Sequence, residues 1–98
     1  MPKSKPILLD WEKAQRAADI LKSVAHPTRL RIAELLETQE MTVGEIQESL
    51  GASQSMTSQQ LSLMKARGVL KSRKVGKSVY YGVDSPEVLQ MLHCLKKC

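Results

Sequence analysis

Phenylalanine is absent, and the aromatic residues are confined to Trp11, Tyr80 and Tyr81. The core must therefore be built from Leu, Ile, Val, Met and Ala, with no array of rings left over on which bases or sugars could stack. Long apolar runs are missing too. The longest are three residues, as at Ile7 to Leu9, against the roughly 18 that a membrane span requires. No charged start leading into an apolar stretch resembles a signal peptide, so the chain reads as cytoplasmic with no membrane partner. Cysteine is limited to Cys94 and Cys98; a bridge between them would close a trivial loop, which excludes a disulfide framework. The most informative absence is acidic. Between Ser49 and Val83 there is no Asp or Glu, while Lys65, Arg67, Lys71, Arg73, Lys74 and Lys77 supply six positive charges. A segment of this kind faces a polyanion or is simply a solvated basic face.

What is present fits one small domain spanning residues 1–98, with 42% hydrophobic and 26% charged residues, close to ordinary globular composition. A chain this short buries only about 60–65% of its extended surface, and a second copy sharing a helical interface would make up the shortfall. Dimerisation is therefore expected.

Residues 1–8, basic and Pro-containing, read as a flexible arm. Asp10 is a helix cap, and Trp11, Ala14, Ala18 and Leu21, with Ala17 beside them, fall on one stripe of a helix over 10–23. His26-Pro27 ends that helix and Pro27 opens the next, whose buried face is Leu30, Ile32, Ala33, Leu35 and Leu36. Thr42-Val43-Gly44-Glu45 has the form of a capping box, opening a short helix with Ile46 and Leu50 inward and Gly51 as its stop. Ser53 caps a fourth helix that runs through Leu61 and Met64 to Gly68. Two helices joined by a tight Gly-Ala-Ser turn have the form of a helix-turn-helix. Val69–Lys74 and Ser78–Val83 then read as a basic hairpin around Val75-Gly76-Lys77, the position of a wing. Ser85 caps and Pro86 opens a last helix over 86–97, with Val88, Leu92 and Leu95 as its buried stripe and Met91 beside it. The expected fold is mainly α (α+β): a winged helix-turn-helix of about five helices with a two-stranded hairpin.

A plain helical bundle would show the same caps and stripes, but it would not explain the fourth helix. With Leu61 and Met64 inward, Gln54, Ser55, Ser58, Gln59 and Ser62 face out, short polar groups of which Gln can pair bidentately with adenine in a major groove. The acid-free segment covers this helix and the hairpin almost end to end, so phosphate-neutralising charge lies beside base-reading groups. An enzyme is disfavoured, because no His, Cys, Ser and acid combination sits at catalytic spacing. A small cytoplasmic thiol or metal carrier would account for the terminal cysteines but not for the Gln/Ser helix.

The stretches Leu21-Lys-Ser-Val-Ala-His-Pro-Thr-Arg-Leu-Arg-Ile-Ala-Glu-Leu-Leu36, Thr42-Val-Gly-Glu-Ile46, Ser53-Gln-Ser-Met-Thr-Ser-Gln-Gln-Leu61 and Gly68-Val-Leu-Lys-Ser-Arg-Lys-Val-Gly-Lys-Ser-Val-Tyr-Tyr81 resemble the ArsR/SmtB family of winged-helix repressors. The resemblance implies a homodimer joined by its first and last helices, bound to an inverted-repeat operator on double-stranded DNA and released by an inducer. It places base or backbone contacts on Gln54, Ser55, Ser58 and Gln59, with Arg73, Lys74 and Lys77 on wing phosphates; Thr57 and Lys65 complete the DNA-facing set. The family often carries His where Gln59 or Gln60 stands here.

The inducer is where the chain departs from these relatives. Met41 to Ile46 has no cysteine for a third-helix Cys-x-Cys site, and Arg29 to Thr38 has none for a second-helix thiol sensor. The segment from Asp84 to the last helix offers too few ligands for the family's zinc site. What remains is Cys94 and Cys98, which on a helix lie about 40° apart around the axis and about 6 Å along it. They could share a soft metal or metalloid such as trivalent arsenic, respond to an oxidant or sulfur species, or be incidental thiols of a constitutive repressor. His93 points about 100° away from Cys94 and reads as a surface or interface residue. His26 reads as structural.

Overall fold

Asp10 begins the fold by accepting the Lys13 N–H on Oδ1 at 2.8 Å, which caps α1 (Trp11–Val24). The computed structural model describes residues 9–97; the flexible arm expected over 1–8, and Cys98, lie outside the described residues. His26 caps α2 (Pro27–Leu36), its Nδ1 accepting the Thr28 N–H at 3.1 Å. A short strand β1 (Met41–Thr42) leads into α3 (Val43–Leu50). There the capping box forms in full: Thr42 Oγ1 accepts the Glu45 N–H at 3.2 Å and Glu45 Oε1 accepts the Thr42 N–H at 2.9 Å. Gly51 closes α3 at φ 66°, with the Ala52 N–H reaching back to the Gln47 carbonyl at 3.3 Å, a left-handed exit that only glycine adopts without strain. It turns the chain into α4 (Gln54–Ala66), followed by β2 (Leu70–Val75), β3 (Ser78–Val83) and α5 (Pro86–Lys96).

The five helices and the hairpin expected from the sequence are present among the described residues. The sheet differs in having three strands, in the order β1-β3-β2, because Met41 pairs with Tyr81 and Thr42 with Tyr80. Two residues are too few to show an alternation, and Thr42 serves at once as strand residue and helix cap. The hairpin is closed by Gly76 and Lys77 between the paired Val75 and Ser78. Gly76 has φ 61° while Lys77 keeps a negative φ, the signature of a II′ turn, whose twist suits the flanking strands.

The core is one cluster: Val24, Ile32, Ala33, Leu36, Ile46, Leu61, Met64, Val69, Leu70, Val88 and Leu92 are buried, with Met41 at its edge. Each large aliphatic side chain enclosed there contributes roughly 1.5–3 kcal/mol. Two of the apolar stripes behave differently from expectation. On α1 only Ser23 and Val24 are buried, whereas Trp11 is 75% and Leu21 54% exposed. On α5, Val88 and Leu92 are buried but Leu95 is 52% exposed. The apolar period is real, yet among the described residues nothing in one protomer covers these positions, and α1 meets the core through Ile20 and Val24 instead. Among the described residues no helix is long and apolar enough to cross a membrane.

Candidate nucleic-acid interface

The N-terminal end of α4 is fixed by Ser53, whose Oγ accepts the Met56 N–H at 3.1 Å. Gln54, Ser55, Gln59 and Ser62 are exposed on the outward side of this helix and Ser58 is half-buried. Thr57 is a correction to the DNA-facing set. It is fully buried, and its hydroxyl donates to the Ser53 carbonyl at 2.8 Å, so it faces the core with Leu61 and Met64 and presents nothing outward.

At the other end of α4, Lys65 donates to Ser72 Oγ on β2, which ties the helix to the hairpin beside it. Lys74 and Lys77 are exposed near the hairpin tip, as is Val75. Arg73 is engaged elsewhere. Its Nε lies 2.5 Å from Glu40 Oε1, and its guanidinium sits 5.5 Å from the centre of the Tyr80 ring. The acid-free segment is thus acid-free along the chain but not in space, since β1 brings Glu40 alongside it. Sequence reasoning missed Glu40; the only signal was its place immediately before β1.

A groove of about 450 Å³ lies between α1 and α5, floored by Leu9, Ala17, Ile20, Leu21, Val88 and Met91. On its rim Glu87 is held below the usual carboxylate range, first by the backbone N–H at the start of α5, then by the Ser85 hydroxyl, with Arg16 adding a smaller attraction. Ser85 is buried and caps α5, its Oγ accepting the Val88 N–H at 3.3 Å and donating to Glu87 Oε1 at 3.0 Å. Farther along α5, Lys96 is ion-paired with Glu37, which follows α2, and that hydrogen bond raises the Lys96 pKa. His93 and Cys94 are exposed beside Glu37. Because Cys98 is outside the described residues, so is the expected pairing of the two thiols. Among the described residues no group of three or more His, Cys, Asp or Glu side chains could hold a metal ion.

A helix-turn-helix with a polar outward face on its second helix, followed at once by a basic hairpin, is the arrangement of a winged helix-turn-helix transcriptional regulator, not of an enzyme. Residues 26–72 match the bacterial regulatory protein, arsR family. The transcriptional activator HlyU of Vibrio cholerae is 35% identical over 91 residues, covering 92% of this chain and 84% of that protein. A solved structure of HlyU from the same organism superposes with a TM-score of 0.85 at 33% identity, covering 90% of this chain and 96% of that one. The crystal structure of NolR from Sinorhizobium fredii gives 0.79 at 34% identity, covering 96% and 95%. The biofilm growth-associated repressor of Xylella fastidiosa is 32% identical over 87 residues, covering 88% of this chain and 76% of that protein. The chain belongs to the arsR family of transcriptional regulators.

Proposed function

We infer that the protein is a cytoplasmic repressor that binds an inverted-repeat operator as a homodimer. The observation that carries this reading is the outward face of α4, where Gln54, Ser55, Gln59 and Ser62 stand clear of the core with no acid among them. Two copies of this helix, about 34 Å apart, enter successive major grooves on one side of the duplex. Gln54, Ser55, Ser58 and Gln59 meet base edges or the adjoining backbone, while Lys65, Lys74 and Lys77 neutralise phosphates. The apolar floor between α1 and α5, which includes the 54% exposed Leu21, supports dimerisation through these two helices. Relatives are named as activator and as repressor; we favour repression because an operator-bound dimer needs no further surface to block transcription.

Titrating the protein against an inverted-repeat duplex drawn from its own promoter region, and against a scrambled duplex, at two salt concentrations tests the reading. A repressor separates the two duplexes by at least about 10³ in affinity. Weak, sequence-indifferent binding would mean a thiol or metal carrier instead. For the inducer we propose a thiol signal received at Cys94 and Cys98, supported by the exposure of Cys94 on the helix that flanks the dimer groove. Moving the operator-bound fraction from 99:1 to 1:99 takes about 5.5 kcal/mol of differential affinity, which ligation of a soft metalloid by two thiolates can supply. Operator release on adding arsenite or peroxide, lost in the Cys94→Ser/Cys98→Ser variant, is the expected result. Equal behaviour of both proteins would leave a constitutive repressor.

A further inference from the structure

In the antiparallel pairing of β1 with β3, Met41 stands opposite Tyr81 and Thr42 opposite Tyr80. One step back along that register, Glu40 falls opposite Gly82. Across the other edge of β3, Gly82 pairs with Lys71 and Tyr80 with Arg73. Because side chains alternate along a strand, Glu40, Gly82, Lys71, Tyr80 and Arg73 all belong to one face of the sheet. Glu40 and Arg73 are thus separated by the full width of β3, about 10 Å between the outer strands, and their ion pair runs diagonally over it.

The absence of a side chain at residue 82 gives the crossing room. A Cβ there would lie 3.2 Å from Glu40 Cγ and 3.5 Å from Oε2, so the carboxylate stem occupies the trough that the glycine leaves. Tyr80, next on the same face, receives the guanidinium of Arg73 over its ring. Exposed ion pairs usually contribute little because two long side chains must be immobilised to form them. Here the trough and the ring restrict both partners in advance. The pair joins the segment between α2 and α3, which belongs to the helical body, to the middle of β2, which belongs to the wing.

We propose that Glu40 and Arg73 form a strut across the sheet that sets the pitch of the wing against the body, so that Arg73 is a positioning residue for DNA binding and not a phosphate contact. This rests on the reading that the wing lies on the phosphate backbone. The strut holds the hairpin at the angle from which Lys74 and Lys77 meet the duplex, and Gly82 leaves room for its carboxylate end.

The test has one arm without DNA and one with it. In the free protein, the Arg73 Nε–H gives a slowly exchanging NMR resonance that disappears in Glu40→Gln; its absence from the unmodified protein overturns the strut whatever the DNA results. With DNA, Lys77→Gln serves as the control for the wing, and it flattens the log-affinity against log-salt slope by about one. A slope and affinity untouched by Lys77→Gln defeat the reading of the wing on DNA, and with it the assigned purpose of the strut. Given an engaged wing, Glu40→Gln and Arg73→Gln each weaken binding about fivefold, the order expected for one exposed pair, with the slope unchanged. An Arg73→Gln variant that flattens the slope, or a Glu40→Gln variant that binds as tightly as the unmodified protein, overturns the proposal.

Discussion

Lys65, in the last turn of α4, donates its ammonium to the hydroxyl of Ser72 on β2 at 2.7 Å. The acceptor is neutral, so the contact fixes the position of the cation without cancelling its charge. Arg73 on the same strand meets a carboxylate instead. Two basic side chains that look equivalent along the sequence therefore present different fields to an approaching polyanion. Lys65→Gln is expected to weaken binding to specific and scrambled duplexes alike and to flatten the salt slope by about one. Ser72→Ala should leave the slope as it is. An unchanged slope in Lys65→Gln removes that residue from the interface.

Base reading at the outward face of α4 predicts a different pattern. Gln54→Ala and Gln59→Ala should each cost about 1–3 kcal/mol on the specific duplex and little on a scrambled one. Equal losses on both duplexes, measured by competition titration, would show that these amides serve the backbone only.

Thr57 offers the converse case. Its hydroxyl is buried and satisfied by the Ser53 carbonyl, so Thr57→Val should lower stability by about 1 kcal/mol and leave the ratio of specific to scrambled affinity intact. Urea denaturation read by circular dichroism measures the first, and the duplex titrations the second. A changed ratio at unchanged stability would return Thr57 to the interface.

The fold was legible where its signals were local. Asp10, Thr42, Ser53 and Ser85 each cap a helix by bonding an N–H three residues on, a relationship contained within a single turn of chain. The period also carried the correct answer for Thr57: four before Leu61 and seven before Met64, it lies on their inward stripe, and only its residue type argued for DNA. The pairing of Arg73 with Glu40 spans 33 positions, and no local rule reaches that far. Trp11, Leu21 and Leu95 mark the opposite limit. Periodicity establishes that a face is apolar but says nothing about which body covers it.

That uncovered face yields a spectroscopic prediction. Trp11 is the one tryptophan of the chain, and it is 75% exposed in the single protomer. If the dimer interface extends over the Trp11 side of α1, its emission should be blue-shifted at high concentration and move to the red on dilution, in step with the mass seen by sedimentation. Leu21→Asp should hold the protein in the monomeric, red-shifted state, since it places a charge against the apolar floor. Emission that ignores concentration while the mass changes would leave Trp11 outside the interface.

The start of α5 predicts a pH dependence. Glu87 has its folded pKa lowered from 4.5 by the helix-terminal backbone N–H, the Ser85 hydroxyl and Arg16. A depressed carboxylate contributes stability that is present above its unfolded pKa and is lost as pH falls through the folded value. The Tm advantage of the unmodified protein over Glu87→Gln should therefore be constant near neutrality and shrink only in acid below about pH 4.5. An advantage that persists at lower pH would point to packing and not to charge.

Only Asp84 and Ser85 separate the end of β3 from the start of α5. Both are tethered: the Asp84 N–H donates to the Val69 carbonyl at 2.8 Å, and Ser85 is buried as the cap of α5. The joint between the wing and the last helix is therefore short and held at both of its residues. A tilt imposed on α5 would be felt first at Val69 and Asp84, the base of the hairpin, where the chain has no free length to absorb it.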